Sequence, residues 1–405
     1  MNILDNTFAA IAADNCPGQE GLQATTDFMT KSRGANIPGP AVDFSHGDVD
    51  AFTPTPGAFE VFAAGVQEGA EQAYTVYRGR DSIRQHLADK LTAYTGAPVA
   101  PGTDVIITPG TQGALFLAVA SVVGPGDSIA IMQPDYFANR KIAVFLGATM
   151  VPIRLNYLEN SDRAGIDLDQ LEQAFASGTR AFLFSTPNNP AGVIYAREEL
   201  TAIAALAERY GVTIIVDELY SRLLYDGRTY THLRALDINP DKVVTIIGPS
   251  KTESLSGYRL GVAFGSARII DRMEKLQAIV SLRAAGYCQA VLTTWFAEPQ
   301  GWLEERIRLH QAIRDDLLKE FRTVEGLAVR TPEAGSYLFP KLPPLAVPVS
   351  DFCKLLRHQA AVTVTPGTEF APHTHDSVRL NFSQDHAAAL AAVRRMTQLV
   401  ERYRV

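Results

Sequence analysis

The feature that most constrains this chain is an alternation of short apolar runs with segments of helical periodicity. Runs rich in β-branched and aromatic residues predict strands at 104–108, 128–132, 149–153, 181–184, 213–216 and 243–247. Helical spacing of apolar residues occupies 82–94, 111–123, 137–146, 168–176 and 197–210. Strands that alternate with helices join by right-handed crossovers into a mostly parallel sheet, which is buried on both faces. The sequence therefore predicts an α/β protein whose ligands bind beyond the carboxyl ends of the strands.

The pattern changes near residue 296, after which helical segments at 302–320 and 387–403 flank shorter strand candidates. That mixture indicates a smaller α+β domain. Near the N-terminus we expect a helix at 20–33 and a short strand at 42–44. The predicted division is a large domain at 46–295, a small domain at 296–405, and an N-terminal arm at 1–45 that forms part of the small domain.

Composition argues against several classes of function. A net charge of −7 gives no support for nucleic acid or an anionic membrane as a partner, and no apolar run approaches the length of a membrane span. The first residues lack the basic start of a signal peptide, and the three cysteines are too scattered for a disulfide framework. These features favour the cytoplasm. His46, His373 and His375 are interpreted as loop histidines, and no metal is predicted.

Distinctive residues follow the first predicted strands. Gly110, Thr111 and Gln112 open a helix after the strand 104–108. The free N–H groups of that helix suit an anion, although an ordinary capped helix fits the same pattern. Tyr136 follows the next strand, where an aromatic side chain either stacks on a planar ligand or packs at the rim of the core.

The later strands are followed by polar groups. Asn188 and Asn189 stand between two prolines after the strand 181–184, either as rigid amide donors or as a plain turn. Asp217 ends the apolar strand 213–216, where a carboxylate is costly unless it is paired. A protonated ring nitrogen is a suitable partner, and a helix N-cap is the alternative.

A single lysine, Lys251, follows the strand 243–247 in a loop rich in glycine and hydroxyl side chains. Partial burial beside cationic and polar groups lowers the pKa of a lysine and makes its amine a nucleophile toward aldehydes. The alternative is a surface lysine after a strand. A phosphate cradle, a stacking aromatic, an amide donor, a buried carboxylate and an imine-forming lysine together are what pyridoxal 5′-phosphate (PLP) requires.

With these residues in place, the chain resembles the class I/II aminotransferase family of fold-type I PLP enzymes. The resemblance covers residue 42 to the C-terminus. Its strongest motifs are Asn-Asn-Pro-Ala-Gly at 188–192, Asp217-x-x-Tyr220, Ser250-Lys251-Thr252 and Gly-Tyr-Arg-Leu-Gly at 257–261. The family resemblance implies an aspartate aminotransferase-like fold and a homodimer that shares its active sites.

By this resemblance, Lys251 forms the internal aldimine and moves the substrate proton, and Asp217 keeps the pyridine nitrogen protonated. Asn189 and Tyr220 bond the phenolic oxygen, and Tyr136 stacks on the ring.

The remaining roles implied by the resemblance concern the phosphate and the substrate. The phosphate is expected to contact Gly110, Thr111, Gln112, Ser250 and Arg259, and Tyr74 is expected to reach it from the partner subunit. Arg379 is expected to bind the α-carboxylate of the substrate, because a planar guanidinium forks onto a carboxylate. Asn189 and Gly47 are expected to border the substrate.

Two departures from the family pattern affect details of the site. Gly248 stands where many relatives have a hydroxyl residue three positions before the lysine, and Asn139 and Arg140 stand where a second aromatic is frequent. Arg283 lies near the segment that shapes the side-chain pocket across the dimer in relatives. It either recognises a second carboxylate or is a solvated helix arginine.

The predicted activity is transfer of an amino group between an L-amino acid and a 2-oxo acid. One alternative is a PLP-dependent lyase or cyclising enzyme on the same scaffold, such as a carbon–sulfur β-lyase. A second alternative, a non-catalytic regulator of this fold, usually carries a DNA-binding extension, for which this chain has no room or basic patch.

Overall fold

The computed structural model describes residues 2–11, 27–47, 50–158 and 165–405. The helices are α1 (Ile3–Ile11), α2 (Ala58–Gln67), α3 (Ala70–Ala73), α4 (Asp81–Thr95), α5 (Gly110–Val122), α6 (Phe137–Phe145), α7 (Leu168–Ala176), α8 (Arg197–Tyr210), α9 (Ala267–Val280), α10 (Gly286–Gln289), α11 (Trp302–Phe321), α12 (Val349–Ala360) and α13 (His386–Tyr403). The strands are β1 (Val42–Asp43), β2 (Val105–Pro109), β3 (Ser128–Gln133), β4 (Thr149–Asn156), β5 (Gly165–Ile166), β6 (Ala181–Ser185), β7 (Thr213–Asp217), β8 (Val243–Ile247), β9 (Leu260–Gly265), β10 (Tyr337–Leu338), β11 (Val362–Thr363), β12 (Thr365–Pro366) and β13 (Val378–Asn381).

The largest sheet has eight strands in the order β2-β9-β8-β7-β6-β3-β4-β5. The strands β3, β4, β6, β7 and β8 are parallel, whereas β9 is antiparallel to both β2 and β8. Because β9 runs opposite to both of its neighbours, β2 runs in the same direction as the parallel strands and ends at the same edge of the sheet. The predicted mostly parallel sheet is confirmed, and its carboxyl edge is where the site forms.

Both faces of this sheet are covered by helices, as the alternation of side chains along a strand requires. In β7, Ile214 and Val216 pack in a cluster with Leu171 of α7 and Ile203 of α8. The intervening Ile215 packs in a second cluster that includes residues of α5, α6 and α9. The strand is therefore apolar from residue 214 to residue 216, and Asp217 follows where it reaches the edge.

A second, smaller sheet has the order β10-β13-β12 and is antiparallel. It shares one apolar cluster with α11, α12 and α13. The strand β1 pairs in parallel with β11, with Val42 opposite Val362, so Val42 and Phe44 join the same cluster. The N-terminal segment is thus tied to the C-terminal part of the chain, while the proposed domain limits stay a prediction.

Two local expectations differ from the structure. Residues 20–26 of the expected helix 20–33 lie outside the described residues, and the remainder contains only the 3₁₀ helix Asp27–Lys31. The strand β9 is absent from the sequence prediction, and its two glycines, Gly261 and Gly265, weaken the local strand signal. Its Gly261 is needed, since a Cβ there would lie 2.3 Å from the carbonyl carbon of Gly110. Among the described helices, none has the length and apolar character needed to cross a membrane.

Candidate active site

The ends of β2, β6, β7 and β8 surround a cavity of about 250 Å³. In the sheet register, Ser185 lies opposite Asp217, and Asp217 lies opposite Ile246. The cavity is lined by Thr111, Gln112, Leu115, Tyr136, Asn189, Asp217, Leu219, Tyr220, Ser250, Lys251, Ser256, Arg259 and Tyr337. The structure therefore brings most of the predicted cofactor residues together in one enclosure.

Lys251 lies between this cavity and a larger adjoining one of about 720 Å³. Its side chain is half-buried, and among the described residues it has no hydrogen bond or ion pair. An amine without a partner, held by a short loop after β8, is free to react with an aldehyde in either space.

Asp217 ends β7 beneath the first cavity. Burial raises the pKa of its carboxyl group to about 6, although the Leu219 N–H that donates to it (3.0 Å) and the Lys251 charge act in the opposite direction. The neighbouring Glu218 raises this pKa further, and Glu218 itself bonds Nδ1 of His232 at 2.6 Å. Among the described residues the Asp217 carboxylate has no ion pair, so a cationic ring nitrogen would supply the partner that burial demands.

The start of α5 forms the anion end of the cavity. Gly110 has a φ of +73°, and a Cβ there would lie 2.6 Å from Nη2 of Arg259, so only glycine lets the guanidinium approach. The free N–H groups of the first helical turn and this cation suit a phosphate.

The structure also explains the departure at Gly248. A Cβ at this position would lie 2.7 Å from the Thr111 methyl group. The space that a hydroxyl side chain would occupy at residue 248 is therefore taken by Thr111, one of the predicted phosphate residues. Ser250, which is also expected to contact the phosphate, is buried, and its hydroxyl donates toward the Leu260 carbonyl at 3.4 Å.

Tyr136 is held at the rim of the cavity by a donated hydrogen bond from its hydroxyl to Gln112 Oε1 (3.0 Å). Sequence reasoning missed the group behind it, Asp135. The Asp135 carboxylate accepts the Tyr136 N–H (2.6 Å), the Ser185 N–H (2.8 Å) and the Ser185 hydroxyl (2.6 Å). The Ser185 oxygen accepts the Asn189 N–H (3.1 Å), so one buried carboxylate holds both a stacking aromatic and an amide group.

The carboxyl group of Asp135 has an unusual pKa. Burial raises the pKa of its carboxyl group to about 7, despite the hydrogen bonds from Ser185 and Tyr136, and the charge of Asp217 adds to the rise. The position of Asp135 between Pro134 and Tyr136 in a predicted strand-end loop was the available signal, because a carboxylate there must be buried or paired.

Arg379 lies on β13 and is 2% exposed. Its Nη1 donates to Asn189 Oδ1 (3.2 Å) and its Nη2 donates to the Ser45 carbonyl (3.0 Å). The guanidinium lies 4.4 Å from the centre of the Tyr337 ring, and its buried Nε has no partner among the described residues. A buried guanidinium without a carboxylate partner is suited to bind the carboxylate of a substrate.

Tyr337 is a second residue that the sequence analysis missed. Its hydroxyl oxygen lies 2.7 Å from that of Tyr220, and its ring is nearly perpendicular to the Tyr220 ring. It lies on β10, a two-residue strand that only the surrounding sheet identifies. Tyr220 thus lines the cavity and has a hydroxyl partner from the small sheet, while its predicted contact with the cofactor stays a prediction.

Gly47 and Tyr74 do not line the 250 Å³ cavity. Gly47 borders the adjoining cavity, where a Cβ on the glycine would lie at ordinary contact distance, 3.4 Å, from the Ser383 Cβ. Tyr74 is 81% exposed and lies beside Arg283, whose guanidinium is 5.3 Å from the ring centre. Its predicted role requires a second subunit and stays a prediction.

The described residues contain no group of three or more His, Cys, Asp or Glu side chains placed to hold a metal ion. They do fit PLP. The glycine at 110 leaves an anion cradle, the half-buried Asp217 lacks an ion pair, and the Lys251 amine is unbonded. Each of these features matches one chemical group of the cofactor.

Comparisons with known proteins agree with this geometry. The family model described as aminotransferase class I and II matches residues 41–396. A crystal structure of an aspartate aminotransferase from Rhodobacter sphaeroides is 62% identical, covers 99% of this chain and 100% of that one, and superposes with a TM-score of 0.93. An aspartate aminotransferase of Sulfurisphaera tokodaii is 25% identical over 97% of both chains. An aromatic-amino-acid aminotransferase of Thermococcus litoralis is 25% identical over 86% of this chain and 89% of its own length.

These relatives support the predicted aspartate aminotransferase-like fold and the aminotransferase activity. They do not support the lyase alternative.

Proposed function

Because the chain belongs to the class I and II aminotransferase family and is a PLP-dependent aminotransferase, we propose that it moves the amino group of L-aspartate to a 2-oxo acid through Lys251. The choice of aspartate rests on the Rhodobacter sphaeroides relative, which is 62% identical. The observation that carries the assignment of the site is the unbonded Lys251 amine between the two cavities, in the same 250 Å³ cavity as Asp217 and as Asn189, which accepts a hydrogen bond from Arg379.

When bound, PLP supplies an electron sink for the pair left at the substrate α-carbon. The chain supplies the remaining functions. Lys251 Nζ attaches the cofactor and later moves the proton at the α-carbon, a positioned base of the kind that is typical of proton-transfer catalysis. Asp217 holds a proton on the ring nitrogen, and Arg379 orients the substrate through its α-carboxylate.

The other contacts hold the cofactor in place. Asn189 and Tyr220 donate hydrogen bonds to its phenolic oxygen, and Tyr136 stacks on its ring. The first turn of α5, Ser250 and Arg259 bind the phosphate. Gly47 leaves space for the substrate backbone.

A donor panel tests the reaction. We expect L-aspartate with 2-oxoglutarate to give a kcat/KM at least about 10-fold above that for L-alanine or L-tyrosine, the scale of discrimination that one recognised side-chain group provides. Without a 2-oxo acid acceptor, ammonia and pyruvate should not accumulate. Acceptor-independent release of either product would contradict transamination.

Lys251→Ala tests the role of the lysine. We expect activity to fall by more than about 10⁴-fold, because nucleophile and proton carrier are lost together. Lys275→Ala is the matched control, since Lys275 is an exposed lysine paired with Asp271. Borohydride reduction of the holoenzyme followed by peptide mapping should place the pyridoxyl group on Lys251, and a label on another lysine would refute the assignment.

We also propose that two copies of the chain share their active sites. Exposed apolar side chains are concentrated in two segments that touch one another: Tyr74, Val76, Tyr77, Ile279, Val280 and Leu282. The contact is made by Gln277, whose amide donates to the Tyr77 carbonyl, and by Arg283 over the rings of Tyr74 and Tyr77. An apolar surface of this kind is suited to a second copy of the chain.

Subunit exchange tests the shared site. Lys251→Ala and Tyr74→Phe subunits should regain activity when mixed, because one of the two sites in each heterodimer keeps both groups. A protein that is active as a monomer, or proven exchange without any gain in activity, would refute it.

A further inference from the structure

We propose that Glu253 is a positioning residue for Lys251, because its buried carboxylate ties the turn that carries Lys251 to Arg222. Glu253 lies two residues after Lys251, and Arg222 lies five residues after Asp217, so one ion pair connects the segments that follow both groups. Glu253 is not among the residues that line either cavity, and it therefore acts through the turn. The inference rests on the proposed function of Lys251.

Lys251 lies in a tight turn that runs from Pro249 to Leu255. The Leu255 N–H donates to the Pro249 carbonyl at 3.1 Å, and the Ser254 N–H donates to the Lys251 carbonyl at 3.2 Å. Ser254 has a φ of +55°, a left-handed conformation that is costly for a residue other than glycine. Such a conformation persists only where contacts from the surrounding structure hold it.

Glu253 provides contacts of this kind. It is 1% exposed, and its Oε1 accepts a hydrogen bond from Nη1 of Arg222. Its carbonyl accepts the Thr55 N–H at 3.0 Å. A further contact comes from α11, where Arg306 donates from Nη1 to the Ser254 hydroxyl at 3.0 Å. Of these three contacts that hold the turn, Glu253 makes two.

The charge of Arg222 is balanced without Glu253. The Arg222 guanidinium forks onto Glu298, from Nη1 to Oε1 at 2.7 Å and from Nη2 to Oε2 at 3.0 Å, and lies 4.4 Å from the centre of the Phe296 ring. Burial raises the pKa of the Glu253 carboxyl group to about 7 against the charge of Arg222, and the charge of Glu298 adds to the rise. Because a second buried carboxylate is costly and is not needed for charge balance, we assign its contribution to the hydrogen bond that fixes the turn.

The fork onto Glu298 makes Arg222 a fixed point for the turn. Asp217 and Lys251 are not hydrogen-bonded to one another, so the Glu253–Arg222 contact helps to set the separation of their segments beyond the strand ends. A displacement of about 1 Å in a reacting group costs about 10²-fold in rate. Loss of the contact should therefore slow the reaction without weakening the binding of the substrate carboxylate, which is assigned to Arg379.

The test compares Glu253→Met with Glu253→Gln. Glutamine keeps an acceptor oxygen for Arg222 without the charge, whereas methionine keeps the volume and loses the acceptor. Both variants retain the Arg222–Glu298 ion pair and should fold. In single turnovers of the PLP holoenzyme with L-aspartate, the maximal rate constant of Glu253→Met should fall about 10–100-fold with a Kd within about 3-fold of wild type. Glu253→Gln should stay within about 3-fold in both quantities.

A second measurement uses the apoprotein and does not depend on the cofactor. Hydrogen exchange followed by mass spectrometry reports the amides of the turn at 249–255. In Glu253→Met these amides should exchange at least about 10-fold faster than in wild type, while residues 213–217 of β7 keep their protection. A general loss of stability would accelerate exchange in both segments, so the difference between them reports the turn.

Asp315→Ala is the matched control. Arg314, like Arg222, is a buried arginine that pairs with two carboxylates, here those of Asp226 and Asp315. Removal of Asp315 leaves the pair with Asp226, and it should change neither the single-turnover rate constant nor the exchange of the turn. Arg222→Lys is a second test variant. It keeps the charge but loses the fork, and should show both changes of Glu253→Met at a smaller size.

The outcomes separate this inference from the proposed function. If Glu253→Met matches Asp315→Ala in both measurements, or accelerates exchange equally in both segments, the positioning role is refuted and the proposed function stands. A Glu253→Gln enzyme as slow as Glu253→Met would also refute it, because the charge of Glu253 would then matter rather than its hydrogen bond. If borohydride reduction of the wild-type holoenzyme labels a lysine other than Lys251, the proposed function itself fails.

Discussion

The cofactor side and the substrate side of the site come from two different kinds of sheet. On the cofactor side, Asp217 ends one strand of the eight-stranded sheet and Lys251 follows another. The two side chains are not hydrogen-bonded to one another. On the substrate side, Arg379 and Asn381 on β13 lie beside Tyr337 on β10 in the three-stranded sheet, and the Arg379 guanidinium lies 4.4 Å from the Tyr337 ring centre.

That difference predicts how substitutions behave. A group fixed by its own strand can be removed with a local loss of one interaction. A group in a mutually bonded set changes the position or the charge of its neighbours when it is removed, so effects there should be non-additive.

The largest effect that tests this comparison is expected from Asp217→Asn. The variant loses the charge that keeps the ring nitrogen protonated, and kcat should fall by roughly 10²–10³-fold, the scale for a preorganised electrostatic group. The apoprotein should not be less stable, because burial already disfavours the Asp217 charge. Steady-state kinetics and urea unfolding of the apoprotein measure the two quantities.

The control is Asp271→Asn, which removes an exposed aspartate paired with Lys275. A folded Asp217→Asn enzyme with nearly normal kcat would show that the cofactor side does not depend on this charge.

A smaller effect is expected from Arg379→Lys. An ammonium cannot fork onto a carboxylate, so the KM for the amino acid should rise about 10–100-fold, the loss of one charge-assisted hydrogen bond. Because the Arg379 guanidinium also lies over the Tyr337 ring, and the Tyr337 hydroxyl is hydrogen-bonded to that of Tyr220, the pH titration of the visible absorbance of the PLP holoenzyme should shift as well. Kinetics and the pH titration on the same preparation test whether the two effects occur together.

Arg395→Lys is the matched control for that experiment. Arg395 is likewise a buried arginine without a carboxylate partner among the described residues, and it donates to the Ala360 and Pro40 carbonyls. It should lose stability with an unchanged KM. An Arg379→Lys enzyme that shifts KM without any change in the titration would separate the two sides of the site.

The same contrast explains what the sequence could predict. The sequence could locate Lys251, Asp217 and Asn189 because each stands in a short motif at the end of an apolar strand. The hydrophobic periodicity predicts those strands, and ligands bind at their carboxyl ends. The helix bounds of α7 and α8 agree with prediction for the same reason, since each lies between clear breaks in periodicity.

Tyr337 could not be located in that way. Its importance comes from the register of β10 against β13, strands of two and four residues that are separated by 39 positions of sequence. Short strands have little periodicity, and register is set by tertiary packing. The antiparallel β9 was missed because its glycines weaken the local strand signal, and one of them, Gly261, is required by the close approach of Gly110.

Asp135 lies on the cofactor side of the site, but like the residues of the substrate side it belongs to a mutually bonded set. Its carboxylate accepts hydrogen bonds from both Tyr136 and Ser185. The smallest predicted effect is the contribution of Asp135 to the pH dependence of the free energy of unfolding. The pKa of its carboxyl group is about 7 in the folded chain, against an ordinary value of 3.8. Between those values the folded chain holds a proton that the unfolded chain releases, so stability falls as the pH rises through this window and is level above it.

Asp135→Asn removes this titration. Between pH 5 and pH 8 the free energy of unfolding of wild-type apoprotein should fall by about 2.6 kcal/mol more than that of the variant. Urea unfolding at both pH values measures the difference, and Asp271→Asn should retain the wild-type dependence. Parallel pH dependences for wild type and Asp135→Asn would mean that Asp135 remains ionised in the fold. In that case Tyr136 and Asn189 would be held by a charged group, and the electrostatics of the cofactor side would include a second permanent anion beside Asp217.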